Sequence, residues 1–258
     1  MTRIFAAGEA AWQARLGTLR QVVRQQLVAR QLTEHVGPTP RRVLDVGCGQ
    51  GTQALLLAAA GHAVTAVDSS PSLLAELAAG RAALPPEARE RVRTVESDIL
   101  SMPVDGTYDV VLCHGVLMYY ADPAPLLDVL AARVAPGGLL SLLVRNADGL
   151  ALRPGLQGDW PAALAALSGP AYRNRLGLTT RADRRDDLTA ALASRGLTVH
   201  AWYGVRVFTD TAPDDAPLPP AGDLAVLLEA EATAGATDPY RSVAALTHLL
   251  ARRPEIVD

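Results

Sequence analysis

The stretch Arg42-Val43-Leu44-Asp45-Val46-Gly47-Cys48-Gly49-Gln50-Gly51-Thr52 restricts the folding choices of this chain more than any other. It begins as a short apolar run of β character and becomes three alternating glycines. It then passes into Gln53-Ala54-Leu55-Leu56-Leu57-Ala58-Ala59, a good helix former. Strand, glycine turn and helix in that order open a nucleotide-binding α/β unit. The glycines suit a turn of unusual φ/ψ and let a ligand reach the backbone. The helix N-terminus behind them offers unbonded N–H groups to ligand oxygens. The spacing is G-x-G-x-G with an acid, Asp45, two residues ahead, whereas a dinucleotide fingerprint is G-x-G-x-x-G. From the turn alone, more than one nucleotide-type ligand stays open.

The rest of the chain continues the rhythm. From Gly8 to Val36, Leu16, Leu19, Val23, Leu27 and Val28 recur at helical spacing, which predicts one helix that Gly37-Pro38-Thr39-Pro40 ends. Strands are predicted at 42–47, at 63–67 closed by Asp68, at 91–96 followed by Ser97-Asp98, at 108–113 and at 139–144. Ser69-Ser70-Pro71 reads as a helix cap with proline in the first turn. Asp122-Pro123 starts another helix, which Pro136-Gly137-Gly138 ends. Strands alternating with helices predict a doubly wound parallel sheet, with right-handed crossovers bringing the strand C-terminal ends to one ligand-binding edge. Beyond Arg145 the rhythm changes. Residues 146–182 are rich in glycine, proline and arginine, with one helix-like piece near 161–168. A helix is predicted over 184–195, a β run over 197–208, an acidic proline-rich loop over 210–220 and a helix over 223–234. Val243 to Ala251 accepts a helix or a strand.

Composition excludes several classes. Apolar residues make up 49% of the 258, ample for one core, and no run approaches the roughly 18 apolar residues of a membrane span. Met1-Thr2-Arg3-Ile4-Phe5 has no long apolar segment of the signal-peptide kind. Two cysteines, Cys48 and Cys113, make neither a disulfide framework nor a metal knuckle, so the expectation is a cytoplasmic protein without metal. The net charge of −3 gives no global pull toward nucleic acid. All 24 basic residues are arginine, so each basic contact can be a bidentate fork.

The candidate site residues sit at strand ends. Asp68, ending the second strand, can accept from both hydroxyls of a ribose, which suits an adenosyl nucleoside without naming it. Asp98, ending the third, can accept from an adenine amino group, with Ser97 or Ile99 as the adjacent wall. Asp45 is expected to bind loop N–H groups, or a ligand's amino group through water. His114, following the fourth strand, can donate to a cofactor or touch a substrate. His35, His62, His200 and His248 have no such context.

In this order the features resemble class I S-adenosylmethionine (SAM)-dependent methyltransferases over residues 40–145. A narrower likeness, to the bacterial tRNA 5-carboxymethoxyuridine methyltransferases, covers nearly the whole chain. It rests on Gly17-Thr18-Leu19-Arg20-Gln21, His114-Gly115-Val116-Leu117, Ala121-Asp122-Pro123, Arg133 to Leu142, Arg145-Asn146-Ala147-Asp148-Gly149-Leu150, Gly204 to Asp210, and the helix with Glu229 and Glu231. The resemblance implies an α/β fold with a doubly wound, seven-stranded, mostly parallel sheet, and it makes 243–251 a terminal antiparallel strand. It implies one methyltransferase domain: an N-terminal helical cap (1–40), a SAM-binding core (41–145), a substrate-side insertion and helix (146–196), and C-terminal strands and helix (197–258).

By that likeness SAM, leaving as S-adenosylhomocysteine, is held by Arg20, Gly47, Cys48, Asp68, Ser97, Asp98 and His114. Asp45, Gly49, Gly51, Ser69 and Ile99 complete the cofactor set. The implied reaction esterifies the carboxylate of a modified wobble uridine, and a carboxylate needs no general base. Arg145, Arg153 and Arg206 are the candidates for the substrate acid. Residues 169–185 depart from the family's lysine-rich run: Arg173, Arg175, Arg181, Arg184 and Arg185 are diluted by Asp183, with Asp186 and Asp187 just beyond, which weakens phosphate neutralisation. A small-molecule O- or N-acceptor therefore stays open beside tRNA, with His114 as the base if the acceptor is a hydroxyl. A non-catalytic SAM-binding protein is the alternative of another class. Thr52 and the glycine spacing count against a nicotinamide dehydrogenase.

Overall fold

The computed structural model describes residues 7–169 and 171–255, so the N-terminal pentapeptide discussed above lies outside the described residues. Five strands run parallel: β1 (Arg42–Val46), β2 (Ala63–Asp68), β3 (Val92–Glu96), β4 (Tyr108–His114) and β5 (Val134–Arg145). A small hairpin, β6 (Ala171–Arg173) with β7 (Thr179–Arg181), stands apart. β8 (Thr198–Val205) and β9 (Leu246–Arg252) complete a seven-stranded sheet of order β3-β2-β1-β4-β5-β9-β8. β9 runs antiparallel between β5 and β8. The ambiguous 243–251 segment is thus a strand. Its apolar periodicity would accept a helix, but it is buried on both faces between two strands.

The helices in chain order are α1 (Glu9–Gln13), α2 (Leu19–Val36), α3 (Thr52–Ala59), α4 (Pro71–Ala82), α5 (Pro86–Glu90), α6 (Ala124–Arg133), α7 (Leu152–Leu156), α8 (Trp160–Ser168), α9 (Arg185–Ala193) and α10 (Ala221–Ala236). Strand residues alternate between two helical layers, as the period of two demands. Leu44, Val111, Leu140, Leu142 and Leu249 meet α6 and α9 on one face. Val43, Val110, Leu112, Leu139, Leu143 and Leu250 meet α2 and α3 on the other. On α2, Val23, Leu27, Val28 and Leu32 are at most 2% exposed. Each such burial contributes about 1.5–3 kcal/mol, which fixes the helix across the sheet.

Three expectations need correction. The helix predicted from Gly8 to Val36 is two helices: Thr18 is extended (ψ 158°), and the Leu19 N–H donates to the Ala216 carbonyl (3.0 Å) instead of continuing a helical ladder. Residues 146–182 hold α7 and the β6–β7 hairpin as well as α8, elements too short to show periodicity. β5 begins at Val134, before Pro136-Gly137-Gly138, because Tyr108 of β4 already pairs with Val134.

The order places β1 between β2 and β4, so the chain reverses direction across the sheet between those strands. The crevice outside the C-terminal ends at such a switch point is where open α/β sheets bind ligands. Gly47, Asp68, His114 and Arg145 all stand at that edge.

Candidate active site

A cavity of about 570 Å³ opens there, walled by the glycine turn, the N-terminal part of α2, the end of β4 and the segment from Arg145 to Leu176. Gly47 and Gly51 have φ of 72° and 81°, in the left-handed region. A Cβ on Gly51 would also lie 2.5 Å from Leu77 Cγ, and one on Gly47 would strike Val116. The turn therefore tolerates no side chain at either position.

Two acids sit beneath the turn. Asp68 is 1% exposed and accepts from the Gly49 N–H (2.9 Å) and the Ser70 N–H (3.0 Å), so it pins the turn to the start of α4. Burial raises its pKa against the pull of those N–H groups. The Gly47 and Cys48 N–H groups donate to the Val67 carbonyl (2.8 and 3.1 Å). The expectation that Asp45 gathers the loop N–H groups is thus corrected: Val67 and Asp68 take them. Asp45 lies buried at the wall of an adjoining small cavity with Cys48 and Gly49, and burial, with Asp68 nearby, pushes its carboxyl up to about 7. Burial pushes the Cys48 thiol up as well, so it is no thiolate.

His114 lines both cavities. Its Nε2 meets Ser141 Oγ at 2.8 Å, Ser141 Oγ meets His248 Nε2 at 2.7 Å, and His248 Nδ1 meets Gln31 Oε1 at 2.6 Å. Burial, reinforced by His248 and Arg24, drives the His114 pKa well below that of a free imidazole. His248, given no role from the sequence, is wholly buried and held at about 3 by burial.

The far wall is cationic. Arg15, Arg20, Arg24, Arg145, Arg153, Arg173, Arg175 and Arg206 line the cavity against only Asp68, Asp159 and Asp214. Asp210, just behind, is shared by Arg20 (3.6 Å), Arg145 (3.4 Å) and Arg206 (3.5 Å). Asp214 is shared by Arg15 (3.2 Å), Arg20 (2.7 Å) and Arg175. Burial would raise Asp210, but Arg206, Arg145, Arg20 and Arg153 overcome it and hold the carboxyl at about 2. The guanidinium groups remain in excess: burial, then Arg206 and Arg175, lowers Arg20 to about 9. Arg24 is lowered to about 10 by burial first and Arg206 second. The Nε atoms of Arg20, Arg145, Arg153, Arg175 and Arg206 are buried without a hydrogen-bond partner. Buried unpartnered polar atoms are costly, and Asp210 Oδ1 in the same cluster is another.

Arg206 has φ of 63°, the non-glycine residue in the left-handed region among those described. What holds it there is Glu231 of α10, fully buried, which accepts from the N–H groups of Val207 (2.7 Å), Phe208 (3.1 Å) and Thr209 (2.8 Å) and from the Thr209 hydroxyl (2.7 Å).

The structure brings Arg20, Gly47, Gly49, Asp68, His114, Arg145, Arg153 and Arg206 to one cavity, with Asp45 and Cys48 in the adjoining one. Gly51 caps α3 behind the turn. Ser69 follows Asp68 at the turn into α4. Ser97, Asp98 and Ile99 are not among the lining residues; Asp98 is exposed and accepts from the Leu100 N–H (2.9 Å), and Ile99 is core. Sequence reasoning missed Arg24, Arg175, Asp214, Glu231 and the histidine chain. A signal existed for Arg24: it lies one turn beyond Arg20 on the same helix face.

A family model described as a methyltransferase domain matches residues 18–201. The chain is 31% identical to the tRNA 5-carboxymethoxyuridine methyltransferase of Escherichia coli O157:H7, over 94% of this chain and 91% of that protein. It is 34% identical to the ubiquinone biosynthesis O-methyltransferase of Caulobacter sp. (strain K31), over 71% of each. In fold it is similar to 1,6-didemethyltoxoflavin-N1-methyltransferase of Burkholderia thailandensis, solved with bound 1,6-didemethyltoxoflavin and S-adenosylhomocysteine, at a TM-score of 0.60 and 20% identity, covering 99% of this chain and 92% of that one.

Proposed function

The chain belongs to the methyltransferase-domain family and is a SAM-dependent enzyme, and from that premise we propose that it methylates the oxygen of a carboxylate, that of a 5-carboxymethoxyuridine in tRNA. The observation that carries the proposal is the arginine wall, whose guanidinium groups outnumber the carboxylates that line the cavity with them. Guanidinium forks are the natural partners of a carboxylate. The tRNA source is supported by the relative that matches nearly the whole chain.

The residues present fit the cofactor. The Arg20 guanidinium at the cavity wall suits its carboxylate, Asp45 its positive charge, and the remaining lone pairs of Asp68 its ribose. When bound, SAM supplies an electrophilic methyl on its sulfonium. The work left to the protein is alignment and exclusion of water. Arg145, Arg153 and Arg206 would hold the acceptor so that one oxygen remains free as nucleophile, at a near-attack distance of about 3 Å. A carboxylate is ionised at neutral pH, so no side chain need remove a proton. His114, held neutral, would border the reaction without acting as base.

The test is transfer of labelled methyl from SAM to tRNA from cells unable to methylate carboxymethoxyuridine. A label released by mild alkali as methanol identifies an ester. Transfer only to hydroxyl or nitrogen acceptors, giving alkali-stable product, overturns the proposal. The weaker basic run at 169–185 favours a second source for the same group, a free small carboxylic acid, which a panel of such acids would reveal.

A further inference from the structure

Between α2 and the sheet lies a line of four polar side chains that the proposed reaction does not use. Gln31 comes from α2, His248 from β9, Ser141 from β5 and His114 from the end of β4. His114 and His248 both pair with Leu143 of β5, so the three share one row of the sheet. Ser141 lies two residues before Leu143, on the same face, and bridges the two rings from below. All four residues project to the α2 side, where Gln31 is 4% exposed and Ser141 and His248 are fully buried.

The bonding capacities of these groups give the line a direction. An amide carbonyl only accepts, so the 2.6 Å contact of Gln31 Oε1 requires a proton on His248 Nδ1. His248 is neutral and has one ring proton, so its Nε2 is a bare acceptor. The Ser141 hydroxyl must then donate to His248 Nε2 at 2.7 Å. A hydroxyl has one proton, so Ser141 meets His114 only as an acceptor, and His114 Nε2 must donate to it at 2.8 Å. A neutral His114 then has no proton on Nδ1. The charged and titratable groups around the line are Arg24 beside His114, with its Nη2 3.5 Å from the His114 carbonyl, Asp45 at the small cavity that His114 also lines, and His35 and Tyr203 beside His248, with Glu34 on Tyr203. Burial, His248 and Arg24 prevail at His114 and disfavour its imidazolium.

We propose that Gln31, His248 and Ser141 are positioning residues that fix the single proton of His114 on Nε2, leaving Nδ1 as a lone pair at the wall of the cofactor cavity. His114 would then accept a hydrogen bond from an N–H or O–H donor of the bound ligand, such as an ammonium group. It does not donate, contrary to the role a histidine at this strand end suggests from sequence. It also leaves carboxylates to the arginines. This inference requires the cofactor but is independent of which acceptor is methylated.

The experiment is ¹⁵N NMR of the full chain labelled at histidine, near neutral pH, with the His114 signals assigned by their absence in His114→Asn. The expected spectrum has a pyrrole-type Nε2 and a pyridine-type Nδ1 for His114, and the Nδ1 signal moves when S-adenosylhomocysteine is added. Gln31→Leu and His248→Phe should give a mixture of tautomers at His114. A proton on Nδ1 in the unaltered protein overturns the proposal, and this spectrum decides the matter even where a variant does not fold. An unchanged single tautomer in Gln31→Leu and His248→Phe variants that still bind S-adenosylhomocysteine also overturns it, since the line would then set nothing.

Discussion

Glu231 offers a test of how the arginine wall is built. Its carboxylate is fully buried, and its two oxygens are used unequally. Oε2 accepts from the Val207 N–H alone, whereas Oε1 accepts from the Phe208 and Thr209 N–H groups and the Thr209 hydroxyl. In Glu231→Gln the amide oxygen can take the place of Oε1 and keep three bonds. The amide nitrogen then faces the Val207 N–H, donor against donor. One hydrogen bond to a charged group is lost, at about 1.5–3 kcal/mol. In Glu231→Ala all four go, and the buried Thr209 N–H loses its partner outright. Water can reach Phe208, which is exposed, so the loss is about 4–5 kcal/mol rather than four times the single value. Urea unfolding at constant m-value measures both differences. Because the same carboxylate holds Arg206 at its left-handed φ, acceptor KM should rise in Glu231→Gln while SAM affinity stays. Equal destabilisation by Gln and Ala, within about 0.5 kcal/mol, would refute the oxygen-by-oxygen account. A fall in SAM affinity with unchanged KM would detach Glu231 from the acceptor wall.

Other outcomes follow from the same geometry. Asp68→Ala should weaken SAM binding by about 1–3 kcal/mol in calorimetry, and unchanged affinity would remove Asp68 from the cofactor site. Arg20→Ala should also weaken SAM binding; a rise in acceptor KM alone would assign Arg20 to the acceptor instead. Arg153→Ala should raise acceptor KM roughly tenfold or more with SAM affinity unchanged, since Arg153 has no carboxylate within ion-pair distance among the described residues; equal losses in both would contradict that. Asp45 titrates at about 7 in the folded protein, above a free carboxylate, so its contribution to stability is full at low pH and is lost as pH climbs toward 7. A cationic cofactor favours its ionised form, so SAM affinity should rise with pH through about 7, and Asp45→Asn should flatten that rise.

The parallel core was legible because each of its cues is local. A glycine turn after Val46, Asp68 closing a β run, and proline caps at Pro71 and Pro123 all act within a few residues. Local cues also led to the cavity edge at Asp68 and His114, which end strands beside the switch point, but not at Asp98, which follows the outer strand β3 and does not line the cavity. The histidine line was not legible. Gln31 and His248 are 217 positions apart, and only the insertion of β9 between β5 and β8 brings them together. The break at Thr18 was hidden for a similar reason: its cause is the carbonyl of Ala216, in a loop read only as acidic and proline-rich. Asp210 and Asp214 of that loop, given no partners from the sequence, are in the fold the counter-charges of five arginines.

The two walls of the cavity carry complementary tasks. On one side, burial strips charge from His114, pushes Asp45 up to about 7 and raises Asp68 against the pull of its N–H donors. On the other, arginines outnumber their carboxylates and stay charged although burial opposes it. A hydroxyl acceptor would gain little from such a wall, because its proton must leave and the nearest histidine sits in a buried network that disfavours the imidazolium. A carboxylate gains the full attraction and brings no proton to remove. The proposal of an anionic oxygen as nucleophile therefore rests on the distribution of charge more than on any single residue.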